Sequence, residues 1–137
     1  MENSDPINPE YYAQGKVQCI EFIENWPFNI ATAVKYMWRY KDKGNPGQDL
    51  EKAIWYLERQ ISNMELNEQG KLFYSSHKIK SGVYGPVELD HIKSKYIKAA
   101  IYNVWGEDFD GVFTEDIQKS IYNIKNEIEE LENETRT

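Results

Sequence analysis

Two apolar stripes on either side of a chain-breaking pentapeptide constrain this chain more than any other feature. Within residues 28–59, Ile30, Ala33, Val34, Met37 and Trp38 recur at helical spacing, and Leu50, Ala53, Ile54, Leu57 and Ile61 repeat the pattern further on. Each run places one apolar face, roughly 100° wide, along a helix. Between them, Lys43-Gly44-Asn45-Pro46-Gly47 stops the first helix, because Gly44 tolerates a left-handed cap and Pro46 cannot continue a helix. The spacing predicts an antiparallel helical hairpin.

The flanking chain divides by the same rules. Residues 1–15, with two prolines and no sustained period, read as an extended arm anchored by Tyr11 and Tyr12. Ile20, Phe22 and Ile23 suggest a short helix over 17–25, ended by Trp26-Pro27. Residues 66–86 contain Gly70, Gly82 and Gly85 beside Leu72-Phe73-Tyr74, a pattern open between a β-hairpin and a loop. Helical character is expected again over 87–105 through Leu89, Ile92, Tyr96, Ala100 and Val104. The last run, Ile117, Ile121, Ile124, Ile128 and Leu131, steps by four and three, with Thr114 placed to cap its start. That heptad spacing suits the bundle core, or the helix of a partner.

The two halves also match each other. A shift of 67 positions pairs Ala33 with Ala100, Trp38 with Trp105, Gly44 with Gly111, Asp49 with Asp116, Lys52 with Lys119, Ile54 with Ile121 and Ile61 with Ile128. The expected fold is therefore mainly α: a single domain over 1–137 in which two similar hairpins, 17–64 and 87–132, form a helical bundle. In the second copy Tyr102 replaces Lys35, Gly106 replaces Arg39, Tyr122 replaces Trp55 and Asn126 replaces Arg59. Function is thus expected in the first hairpin, with the second as scaffold.

Charge narrows the ligand. The net charge of −7 argues against general DNA or RNA binding, which rests on many phosphate contacts. Acidity gathers at the ends, most of all beyond Lys98, while the middle is mildly basic, enough for a small phosphate ligand. The lone Cys19 fits a reducing compartment. No apolar run reaches the roughly 20 residues that span a bilayer, and no basic, apolar leader opens the chain. A cytoplasmic protein without membrane contact is expected.

On a helical wheel Thr32, Lys35 and Arg39 fall opposite the first apolar stripe, and Lys52, Trp55 and Arg59 opposite the second. Rings stack on bases while Lys and Arg hold phosphates, so the set suits a nucleotide; it equally describes an ordinary solvated helix face. The backs of two hairpin helices point apart. Convergence is then expected to need the arm, the 66–86 segment with Lys71, His77, Lys78 and Lys80 as a lid, or a second subunit in a homo-oligomer. No GxxxxGK[ST] loop is present, and no Cys/His set has zinc spacing. Glu21 and Glu24 form a Glu-x-x-Glu pair like that of the all-α nucleotide pyrophosphohydrolases, but the later acidic pair those enzymes need is missing, since Lys52 follows Asp49 at that spacing. No metal site is expected.

Asp5-Pro6-Ile7-Asn8-Pro9, Tyr12-Ala13-Gln14-Gly15, Ala33-Val34-Lys35-Tyr36-Met37-Trp38-Arg39, Lys43-Gly44 and Asp49-Leu50-Glu51-Lys52-Ala53-Ile54-Trp55-Tyr56-Leu57 together resemble a short phage and prophage family, long of unknown function, that includes a coliphage early-gene nucleotide kinase. The resemblance implies phosphorylation of deoxynucleoside monophosphates in the host cytoplasm by a kinase without a P-loop, from a nucleoside triphosphate donor, and leaves the need for Mg2+ open. It implies that Lys35 and Arg39, with Lys52, neutralise the transferring phosphoryl group. Tyr36, Trp38 or Trp55 would stack on a base, and Asp5, Asn8 and Tyr12 lie in the N-terminal motif. Tyr11 stands where similar sequences carry His, and Ala31-Thr32 where they carry Gly-Asn. This motivates an alternative, a non-catalytic binder such as a sponge for a host immune signalling nucleotide. The acidic C-terminal stretch motivates another, a protein that blocks a host partner's basic surface.

Overall fold

The computed structural model describes residues 19, 23–24, 26–42, 44–65, 71–72, 89–105 and 112–136. Its elements, in chain order, are α1 (Phe28–Arg39), α2 (Pro46–Glu65), β1 (Lys71–Leu72), α3 (Lys95–Asn103), β2 (Val112–Phe113) and α4 (Thr114–Arg136). The fold is mainly helical, as the periodicity predicts. Among the described residues, no helix is long and apolar enough to cross a membrane.

Helix ends follow local chemistry, and there the sequence expectations shift. Pro46 opens α2 rather than belonging to the turn, because its missing N–H is one that a first-turn residue leaves unused. Asn45 caps that helix, its Oδ1 accepting from the Gln48 N–H at 3.1 Å. The helix expected over 87–105 shortens to α3, because the Ser94 side chain accepts from the Ile97 N–H at 3.1 Å and fixes the start there. Thr114 is the first residue of α4 and not its cap; Asp116 Oδ2 accepts from the Phe113 N–H at 2.9 Å instead. In the expected 17–25 helix, Cys19 and Ile23 are helical and the rest lies mostly outside the described residues, as do the arm and most of 66–86. Within that last segment β1 pairs antiparallel with β2, Lys71 opposite Phe113 and Leu72 opposite Val112. It thus joins the two halves.

Packing follows the duplication. Ile30, Ala33, Val34, Met37 and Trp38 of α1 are buried, and so are Ile97, Ala100, Ile101, Val104 and Trp105, each 67 positions later. Leu50, Ala53, Leu57 and Gln60 of α2 likewise correspond to buried Ile117, Ser120, Ile124 and Glu127 of α4. Within each hairpin the helices cross through small residues: Ser120 Oγ donates to the Ala100 carbonyl at 2.9 Å, where the first copy has Ala53 and Ala33. The hairpins α1–α2 and α3–α4 join through α2 against α4. The heptad face of α4 serves this core, with Ile128 and Leu131 packed at its edge.

Candidate functional site

One flank of the first hairpin carries a row of rings. Tyr36 of α1 and Tyr56 of α2 stack across the seam, centroids 6.1 Å apart and planes 20° from parallel. Phe28 meets Tyr56 edge-on at 6.1 Å, and Trp55 does so at 5.0 Å, the offset and T-shaped geometries that ring quadrupoles favour. Spacing explains the row, since Phe28, Thr32 and Tyr36 follow one another at four-residue steps on α1 while Lys52 and Tyr56 do so on α2. Phe28 and Trp55 are 73% and 57% exposed. These two rings are open to a ligand, while Tyr36 and Tyr56 are half-buried against the core.

Two cations close one end. The Arg39 guanidinium carbon sits 4.7 Å from the Tyr36 centroid and Lys52 Nζ 5.6 Å from the same centroid, a placement the negative face of the ring stabilises. The wheel expectation that Arg39 and Lys52 cannot meet within one hairpin is therefore corrected. Their side chains are long enough to bend around from the backs of the helices onto a ring at the seam. Arg39 Nε also lies 3.6 Å from Asp49 Oδ2, with both side chains largely buried. Two positive groups and a stacked pair of rings thus share one surface.

The other expected residues divide. Thr32 is half-buried between the Phe28 and Tyr36 turns, Lys35 is exposed, and exposed Arg59 lies one turn beyond Tyr56. Trp38 is 3% exposed, packed on His91 with ring centroids 4.6 Å apart, so it is a core residue and no platform for a base. Asp5, Asn8 and Tyr12, with His77, Lys78 and Lys80 of the expected lid, lie outside the described residues. Two cavities lined by described residues lie elsewhere, a groove of about 500 Å³ between the start of α2 and the end of α4 and one of about 210 Å³ beside the start of α3. Among the described residues, no group of three or more His, Cys, Asp or Glu is placed to hold a metal ion. Tyr56, Phe28 and Asp49 are site residues that the helical wheel does not single out; for Tyr56 the sequence carries a signal, since it falls between Lys52 and Arg59 at helical steps.

Neighbouring titratable groups take no visible part in chemistry. Burial pushes the Cys19 thiol up to about 12 against the pull of Lys35 and Arg39, so scarcely any nucleophilic thiolate exists at neutral pH. Burial lowers His91 from its ordinary 6.5, with Asp42 and Asp90 pulling it back up and Lys93 adding to the depression. Both of its ring nitrogens are buried without hydrogen-bond partners. The folded state therefore disfavours the imidazolium, and the associated stability is full above the unfolded value and is lost as pH falls towards the depressed one. Thermal melts at about pH 7.5 and about pH 5 should show a fall in Tm that shrinks in His91→Phe; an equal fall in both proteins refutes the assignment.

The fold and this flank define a helical-bundle protein with a ring-and-cation ledge on its first hairpin. Residues 7–58, which include α1 and most of α2, match a family model described as a protein of unknown function (DUF3310). Over that span the chain is similar to a family whose activity is not established. No curated protein and no solved structure matches the chain.

Proposed function

We propose that this chain is a phage nucleotide-binding protein that acts on deoxynucleoside monophosphates as a nucleotide kinase in the host cytoplasm. The observation that supports it is the placement of Arg39 and Lys52 over the one ring, Tyr36, that also stacks on Tyr56. A phosphate bound by the two cations puts its base within reach of Tyr56, Trp55 or Phe28, where stacking contributes about 1–3 kcal/mol per base. In the transfer, a phosphate oxygen of the monophosphate attacks the γ-phosphorus of a nucleoside triphosphate, the bond to the β–γ bridging oxygen breaks, and nucleoside diphosphate leaves. Arg39 and Lys52, with Lys35 one turn from Arg39, offset the charge spread over the transferring group.

A second reading is a non-catalytic nucleotide binder, and it is favoured by Asp49, the carboxylate beside the cations, being turned onto Arg39 instead of towards a substrate oxygen. The exposed rings of Phe28 and Trp55 also suit a homo-oligomer whose partner covers the ledge. Calorimetry with deoxynucleoside mono- and triphosphates and cyclic nucleotides, beside label transfer with and without Mg2+, separates the readings. Binding with transfer is the expected result. Tight binding without transfer selects the binder, and absence of both leaves a protein that acts on a host partner through its acidic helix.

A further inference from the structure

The internal repeat supplies a control for one residue. Asp49 and Asp116 occupy equivalent places in the first turns of α2 and α4, 67 positions apart. In the second hairpin, where Gly106 replaces the arginine, Asp116 does the local work of a helix start, accepting from the Phe113 N–H at 2.9 Å. In the first hairpin Asn45 performs that work through its bond from Gln48. Asp49 is thereby released from capping. It is 5% exposed, its Oδ2 has no hydrogen-bond partner, and that oxygen faces Arg39 Nε at 3.6 Å. A buried carboxylate with an unbonded oxygen is costly unless an opposite charge stands beside it, so the aspartate's place and the arginine's depend on each other.

We propose that Asp49 is the positioning residue of the site: it draws the Nε side of Arg39 into the hairpin and so holds the guanidinium over Tyr36, where a bound phosphate meets it. This rests on the nucleotide reading above. Two physical effects of Asp49 oppose each other. Its negative charge weakens anion binding through space, whereas its hold on Arg39 strengthens it by limiting the orientations the arginine must give up. The positioning role requires the second effect to be the larger.

The test is a double-mutant cycle read by calorimetry with a deoxynucleoside monophosphate. Asp49→Asn, which keeps the side-chain shape, should weaken binding about 10-fold in the wild-type background. The same change should not weaken binding in an Arg39→Gln background, where only the through-space charge of Asp49 is left to remove, and should have its full effect in a Lys52→Gln background. Tighter binding by Asp49→Asn in the wild-type background overturns the inference, because through-space charge then dominates; equal weakening in all three backgrounds overturns it too, because Asp49 then only supports the fold. Should Arg39→Gln fail to fold, the Arg39 Nε–H proton resonance is a second measurement: slow exchange with water in the wild type and fast exchange in Asp49→Asn are expected, and equal exchange rates refute the role. Failure of the wild type to retain nucleotide overturns the nucleotide reading itself, an outcome distinct from these.

Discussion

Replacing Lys52 by Gln and Arg39 by Lys together should weaken nucleotide binding about 100-fold, each change contributing about 10-fold. The size follows from removing one charge-assisted hydrogen bond to phosphate at each position, worth about 1.5–3 kcal/mol, with the smaller figures apt for an open ledge. Lys52 is exposed, so its removal leaves no buried partner behind. Arg39 is different, because a neutral residue there strands the buried carboxylate of Asp49 and mixes weaker folding with weaker binding. Lysine keeps the charge beside Asp49 while removing the planar fork that can lie on Tyr36 and still offer two donors to one phosphate. Lys35→Gln should cost less than either, since Lys35 is exposed and is not part of the cluster over Tyr36. Calorimetry on the wild type and these variants, with circular dichroism to confirm that each is folded, decides it. Unchanged affinity in the double variant removes the ledge as the binding site.

Much of the architecture is legible in the sequence, because burial in a helical hairpin leaves a periodic trace. The stripe Ile30, Ala33, Val34, Met37 and Trp38 is buried throughout, as is its counterpart 67 positions on. What periodicity does not carry is the identity of whatever packs beside a helix. Trp38 ends the α1 stripe and Tyr36 flanks it, yet both carry rings that could meet a base; Trp38 is closed off by His91, 53 residues away in the sequence, while Tyr36 meets Tyr56 and two cations. A wheel fixes where a side chain leaves the helix and says nothing about where a long one ends, which is why Arg39 and Lys52 are expected from it to diverge. The pairing of β1 with β2 is likewise non-local and leaves no pattern in either two-residue strand. Asp49 and Glu127 are hidden for a related reason: acidic residues on amphipathic helices usually face water, and only the three-dimensional structure shows what each of these is buried against.

Glu127→Ala should destabilise the fold by about 3–5 kcal/mol, the largest effect expected from a single change outside the apolar core. The carboxylate is 5% exposed and holds two hydroxyls, accepting from Tyr40 Oη at 2.6 Å and from Ser94 Oγ at 2.7 Å. These come from different hairpins: Tyr40 follows α1, Ser94 caps α3, and Glu127 lies on α4 between them. Burial, with the Glu127 carboxylate as the next cause, drives the Tyr40 phenol well above its ordinary range, so at neutral pH it stays protonated and able to donate. Alanine leaves two hydroxyls without their acceptor and opens a void, whereas Glu127→Gln retains one carbonyl acceptor and should cost only about 1–2 kcal/mol. The repeat supports that ranking, because the equivalent position in the first hairpin is Gln60, which is 7% exposed and whose Oε1 accepts a long bond from Asn29 Nδ2 at 3.5 Å. A buried amide thus suffices where one partner is held, and a carboxylate stands where two must be. Denaturant unfolding of Glu127→Ala, Tyr40→Phe and the double variant should give a coupling of about 1 kcal/mol or more between the two positions. Additive effects would mean that Glu127 does not bind the hairpins together through Tyr40, and the joint between the two copies would then rest on the packing of α2 against α4 and the pairing of β1 with β2.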